Sequence, residues 1–193
     1  MQIVLASASP RRHELLKQIV ADFAIEATDI DEDGLTTSDP FETAELLASE
    51  KAKAVKGDYV DAVVIGCDTV VALKEGHAWI QFTKPTDPAN AVEILQSLRG
   101  RTHQVITGVA VLSLFSRAVG HCITNVTFNN VSDQEIGDYV RTGEPMDKAG
   151  AYGAQGMGSF LVQSLDGPFD NVVGLPIDLT RELMLQIGFD FGP

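Results

Sequence analysis

The amino-acid sequence predicts an α/β fold, and three observations carry that prediction. Residues 61–73 hold a nearly unbroken apolar run, Ala62-Val63-Val64-Ile65-Gly66-Cys67 followed by Val70-Val71-Ala72-Leu73. Such a run is expected of a strand buried on both faces. Three segments open on helix-start signals: Asp39-Pro40, Asp87-Pro88 and Ser132-Asp133-Gln134-Glu135. In each, an oxygen-bearing side chain can cap free N–H groups, and a proline or a capping-box glutamate follows. Strand-like and helix-like runs succeed one another from end to end, with no internal repeat, low-complexity tract or obvious linker.

The first strand is Ile3-Val4-Leu5-Ala6, and it leads into Ser7-Ala8-Ser9-Pro10-Arg11-Arg12. Ser9 reads as an N-cap and Pro10 as the first helical residue, with apolar residues at helical spacing as far as Val20. Arg11 and Arg12 then fall in the first helical turn, where the helix end is already partly positive. A strand-to-helix turn with free N–H groups, two hydroxyls and two guanidinium forks is suited to an anion such as phosphate. A plain surface cap with two solvated arginines is the alternative.

A weak strand is expected over 22–27, then an acidic loop, Thr28-Asp29-Ile30-Asp31-Glu32-Asp33-Gly34. Its carboxylates can hold a hard cation, although the spacing lacks the EF-hand pattern and a solvated loop explains it equally well. A helix follows from Asp39 to about Lys56 and stops at Gly57, with Glu42 completing a capping-box pattern. Lys51 lies at the edge of the apolar stripe of Ala44, Leu47 and Ala48, the usual place for a snorkelling lysine. Asp68 interrupts the long apolar strand. A carboxylate there must be paired, bind a metal or open into a cleft, and a buried lysine is the structural alternative. Lys74-Glu75-Gly76-His77 reads as a hairpin turn, with 78–82 returning and Lys84-Pro85 next. A helix from Asp87-Pro88 ends at Gly100, and two long strands span 102–114 and 118–128. The helix begun at Ser132 runs to about Arg141. The glycine-rich segment 143–158 reads as a binding loop, because it is too long for a simple turn. A strand over 159–163 and a helix over 177–187 complete the chain. The four histidines show no ligand spacing and read as structural or surface residues.

With 193 residues, the chain can bury one sizeable core, as one domain or as two lobes around a cleft. A net charge of −13 with only 14 Lys and Arg argues against a nucleic-acid partner, since no basic face is large enough. It leaves room for a small anionic ligand held by a local basic cluster. No run approaches the roughly 20 apolar residues of a membrane span, and the N-terminus lacks the pattern of a signal peptide. Cys67 and Cys122 fit no zinc spacing and read as free thiols, so the expected location is cytoplasmic.

Seven short motifs occur in order along nearly the whole chain: Ser7-Ala8-Ser9-Pro10-Arg11-Arg12, Glu50-Lys51-Ala52, Asp68-Thr69-Val70-Val71, Lys84-Pro85, Thr107-Gly108-Val109, the stretch from Asp147-Lys148-Ala149-Gly150 through Tyr152-Gly153-Ala154-Gln155-Gly156, and Asn171-Val172-Val173-Gly174-Leu175-Pro176. Each is weak alone, and the ordered set resembles the Maf nucleotide pyrophosphatases. The resemblance implies an elongated α/β fold: a mixed sheet with flanking helices, in two lobes around a deep cleft, similar to inosine triphosphate pyrophosphatases. It implies one such domain over residues 1–193. It also implies hydrolysis of a nucleoside triphosphate to the monophosphate and pyrophosphate with a divalent cation, Mg²⁺ or Mn²⁺. Asp68 matches the family's proton acceptor, and Lys84 is expected to share in catalysis. Arg12, Thr69 and Gln155 match positions associated with substrate choice and look like the branch acting on dTTP and UTP. Ser7, Ser9, Arg11 and Lys51 complete the expected substrate contacts, and Glu32 and Asp68 are the expected metal ligands. Two departures are visible: Cys67 stands where a small alanine is more usual, and Phe82-Thr83 precede Lys84 where a glycine is common. A pyrophosphatase for purines of the ITP type and a non-catalytic nucleotide-binding regulator of cell division are the alternatives. A homodimer is left open.

Overall fold

The computed structural model describes residues 1–192 and, apart from the side chain of Asp33, the side chains along them. Seven strands form one mixed sheet: β1 (Ile3–Ala6), β2 (Ala24–Ile25), β3 (Val63–Glu75), β4 (Ala78–Phe82), β5 (Thr102–Leu112), β6 (Arg117–Phe128) and β7 (Val162–Asp166). Their order is β2-β1-β3-β5-β6-β7, with β4 paired to the far half of β3. β1 runs parallel to β2 and β3, and the other pairings are antiparallel. Six helices flank the sheet: α1 (Pro10–Leu16), α2 (Pro40–Lys56), α3 (Pro88–Leu98), α4 (Asp133–Arg141), α5 (Phe169–Val173) and α6 (Ile177–Gln186). No helix among the described residues is long and apolar enough to cross a membrane.

The long strand β3 organises the layers. Its residues alternate between faces, as a strand requires. Val63, Ile65 and Cys67 pack with Leu16 of α1 and Leu183 and Met184 of α6. Farther along the same face, Val71 and Leu73 meet Ile94 and Leu95 of α3 and Ile136 and Tyr139 of α4. On the opposite face Val64 meets Ala48, Ala52 and Val55 of α2. Gly66 and Gly108 let α2 lie directly on the sheet: a Cβ on Gly66 would fall 2.2 Å from the Ala48 carbonyl oxygen, and one on Gly108 only 2.1 Å from that of Ala44.

The pairing of β3 leaves one gap. β1 pairs with it as far as Gly66, and β4 joins only from Val71. Along that edge Cys67, Asp68, Thr69 and Val70 have no strand neighbour, while β5 holds their other side. β1 and β4 both end at this gap, so the chain leaves them there as Ser7 and Thr83-Lys84.

Several boundaries differ from expectation. α1 stops at Leu16 instead of continuing to residue 20, and Ser9 makes no side-chain cap; its N–H donates to Ser7 Oγ at 3.2 Å. Asp39 does cap α2, accepting from Phe41 N–H at 2.9 Å, but Glu42 does not complete a box with it among the described residues, whereas the capping box expected at α4 forms between Ser132 and Glu135. β2 has two residues instead of six. β5 stops at Leu112, because Ser113 and Ser116 close the hairpin. Segment 156–161 winds into a 3₁₀ turn, which moves β7 to Val162–Asp166. α5 was not expected.

Candidate active site

A cleft of about 950 Å³ opens at the gap in β3. Its walls include Ser7, Ser9, Arg11, Arg12, Glu32, Lys51, Asp68, Thr69, Lys84 and Gln155. Residues far apart in sequence are thus brought to one place by strand order.

Asp68 is buried at the gap, and its partner is Lys51 of α2. Lys51 Nζ donates to Asp68 Oδ1 at 2.5 Å and lies 2.6 Å from Glu32 Oε1. Lys51 is therefore a buried ion-pair centre, and the snorkelling expectation is corrected. It faces inward because Gly66 and Gly108 admit α2 so closely to the strands. Burial alone would push its ammonium down, but the Asp68 charge and the hydrogen bonds it donates to Asp68 and Glu32 lift it above the ordinary lysine value. Burial alone would likewise raise the Glu32 carboxyl. The Lys51 hydrogen bond, aided by the charges of Lys51, Lys84 and Arg12, instead carries it below its usual range. Asp68 thus combines two of the roles weighed from the sequence: it is paired with a buried lysine, and it faces a cleft.

Arg12 departs furthest from expectation. Its misplaced charge is answered first by the protein itself. Nε donates to the Gly174 carbonyl at 2.9 Å, one terminal nitrogen to the Cys67 carbonyl at 2.9 Å and to Ser7 Oγ at 3.4 Å, and the other to Thr69 Oγ1 at 3.1 Å. The Cys67 carbonyl belongs to the unpaired edge of β3, so Arg12 takes the place of a missing strand. With four of its five N–H groups engaged, one donor remains for a ligand.

Thr69 is held equally firmly. Thr107 Oγ1 donates to the Asn171 carbonyl at 2.8 Å. A hydroxyl has one proton, so in the Thr69–Thr107 contact of 3.0 Å Thr69 must be the donor. The direction is fixed: Arg12 to Thr69 to Thr107 to the Asn171 carbonyl. Thr107 and Asn171, both fully buried, support the site without lining it. Their motifs were visible in the sequence, but nothing local marked them as a relay.

The remaining residues are more open. Lys84 is exposed on the cleft wall and makes no ion pair among the described residues. Arg11 reaches across to Asp147 at 3.7 Å. Gln155 is exposed, and its amide makes no hydrogen bond among the described residues. Among the described residues no three His, Cys, Asp or Glu side chains gather as a metal cluster.

The Maf-like protein family matches residues 2–187. The chain belongs to that family. It is 44% identical over 188 residues to the dTTP/UTP pyrophosphatase of Symbiobacterium thermophilum, covering 97% of this chain and 95% of that one. It is 46% identical over 191 residues to the dTTP/UTP pyrophosphatase of Moorella thermoacetica, covering 98% and 96%. Among solved structures, the Ham1 protein of Staphylococcus aureus is similar over 67% of this chain and 73% of its own, with a TM-score of 0.45 and 19% identity. In this Maf-like chain the cleft presents one carboxylate pair on a shared lysine, flanked by Arg11, Arg12 and Lys84. Such an arrangement can receive a polyanion and remove a proton beside it.

Proposed function

We propose that this Maf-like protein, acting as one catalytic domain, hydrolyses dTTP and UTP to the monophosphate and pyrophosphate. The observation that carries the reading is Asp68: a carboxylate set at the gap of the central strand, oriented by Lys51 and facing a cleft lined with cations. The names of the full-length relatives support the substrate class.

A divalent cation fits this donor set. Glu32 and Asp68 each spend one oxygen on Lys51 and keep a second, Glu32 Oε2 and Asp68 Oδ2. Two carboxylates completed by substrate oxygens are the usual way to hold Mg²⁺. When bound there, Mg²⁺ or Mn²⁺ would neutralise phosphate charge and acidify a water. Lys84, Arg11 and the free N–H of Arg12 bind phosphate oxygens and hold the anhydride in line with the attacking water. Asp68 accepts the proton of that water as its oxygen bonds to the α-phosphorus. The bond from the α-phosphorus to the bridging oxygen breaks, and pyrophosphate leaves with the bonding electrons. The Gln155 amide offers a donor and an acceptor, matching the N3–H and a carbonyl of a uracil-type ring.

The test is Asp68→Asn with pyrophosphate release measured on dTTP, UTP, CTP and GTP. The wild type should favour dTTP and UTP, and the near-isosteric variant should stay folded yet lose about a hundredfold or more in rate. A folded variant with near-wild-type turnover would remove Asp68 from this role. Binding of dTTP without pyrophosphate release by the wild type would turn the reading to a regulator.

A further inference from the structure

The glycine-rich segment is wrapped around a carboxylate that the proposed chemistry leaves unused. Glu144 Oε1 accepts from Tyr139 Oη at 3.0 Å and from Gly158 N–H at 3.1 Å. Its Oε2 accepts from Met157 N–H at 3.1 Å. Tyr139 Oη in turn accepts from Gly153 N–H at 3.1 Å. Backbone N–H groups on both sides of Gln155 are therefore tied to the same two side chains. The glycines make this closeness attainable: a Cβ on Gly158 would fall 2.5 Å from Tyr139 Oη, and Gly156 adopts φ +76° with its Cβ position 3.2 Å from Glu144 Oε2. Tyr139 is itself anchored, 3% exposed on the core-facing side of α4. Burial foremost pushes its phenol well above the ordinary range, so it stays a donor to Glu144.

We propose that Glu144 and Tyr139 form a clamp that positions the Gln155 amide, and that discrimination between nucleobases is set through them. The inference rests on the reading of Gln155 as the base contact. A glycine-rich loop without the clamp would have to be ordered by the nucleotide, at the expense of affinity for the base that Gln155 recognises. Triphosphate contacts lie on other elements, so the loss should appear in selectivity and chiefly in KM. Glu144 and Tyr139 are thus positioning residues.

Tyr139→Phe keeps the ring in the core and deletes both hydroxyl contacts. Glu144→Gln places an amide N–H₂ against a backbone N–H. The full chain and each variant are assayed for kcat/KM on dTTP, UTP, CTP and GTP, alongside Gln155→Ala and the double variant Tyr139→Phe/Gln155→Ala. The dTTP-to-GTP preference should fall about tenfold, the scale of one lost hydrogen bond. The fall should be carried by KM for dTTP, and the double variant should be no less selective than Gln155→Ala alone. If Gln155→Ala lowers selectivity while the clamp variants keep it, or lower all four nucleotides equally, the clamp is refuted and Gln155 stands. If Gln155→Ala leaves the preference intact, the reading of Gln155 fails and the clamp with it. A wild type without the preference overturns both.

Discussion

Arg12 sits at the positive end of α1, and its surroundings explain why the helix tolerates it. Two backbone carbonyls and two hydroxyls receive its N–H groups. The same bonds hold the open edge of β3 in place at the cleft. The relay behind it ends at Thr107, which is fully buried and cannot touch a ligand. Thr107→Val keeps the shape but leaves the Asn171 carbonyl without its donor and frees the Thr69 proton from its acceptor. We expect a stability loss of about 1–3 kcal/mol, the cost of an unpaired buried polar group. We also expect a several-fold drop in kcat/KM for dTTP as Arg12 loses its fixed orientation. Urea unfolding and steady-state kinetics on one preparation check both; unchanged kinetics in a destabilised variant would make the relay purely structural. The charge anomaly at Arg12 was legible in the sequence, but the carbonyls that answer it come from residues 55 and 162 positions away.

Among the elements, α2 matters most to the site, because it carries Lys51. Its limits were legible from Asp39-Pro40 at one end and Gly57 at the other, since caps and stops are local chemistry. Its depth was not, because that depends on two glycines of other strands. Gly108→Ala would set a Cβ 2.1 Å from the Ala44 carbonyl oxygen, a backbone atom that cannot swing away. The helix must lift, and overpacking of this kind costs about 1–3 kcal/mol or more. Lys51 should be drawn from Asp68 and Glu32, so activity should fall together with the denaturation midpoint. An unchanged midpoint would mean that α2 does not rest on Gly108 as closely as described. α5 shows the opposite case: five residues are too few for a periodic signal, and it ends where Gly174 turns left-handed at φ 120°, with the N–H groups of Gly174 and Leu175 donating to the Asp170 carbonyl.

The whole molecule carries a pH dependence through His103. The ring is 1% exposed, packs edge-on to Phe128 and meets Tyr152 Oη at 2.8 Å through Nε2, while Nδ1 has no partner among the described residues. Burial pushes its pKa from 6.5 to about 3, so the folded ring stays neutral. Below 6.5 the unfolded chain takes up a proton that the folded chain refuses. The contribution of this ring is therefore complete above about pH 6.5 and is lost as pH falls towards 3, at about 1.4 kcal/mol per pH unit. Thermal unfolding between pH 4 and 7 should show a shallower slope for His103→Gln than for the wild type; parallel curves would refute the assignment. From the sequence, His103 was indistinguishable from a surface histidine, because only the packing of β5 against the glycine-rich segment buries it. That division holds across the chain. Caps, apolar runs and motif residues follow from local chemistry, so the sequence by itself determined most elements, the family resemblance and the residues of the cleft. The gap in β3, the Lys51–Asp68 pair and the clamp around Gln155 were decided only by the tertiary structure, because they join residues through strand order and close backbone approach, which no local spacing encodes.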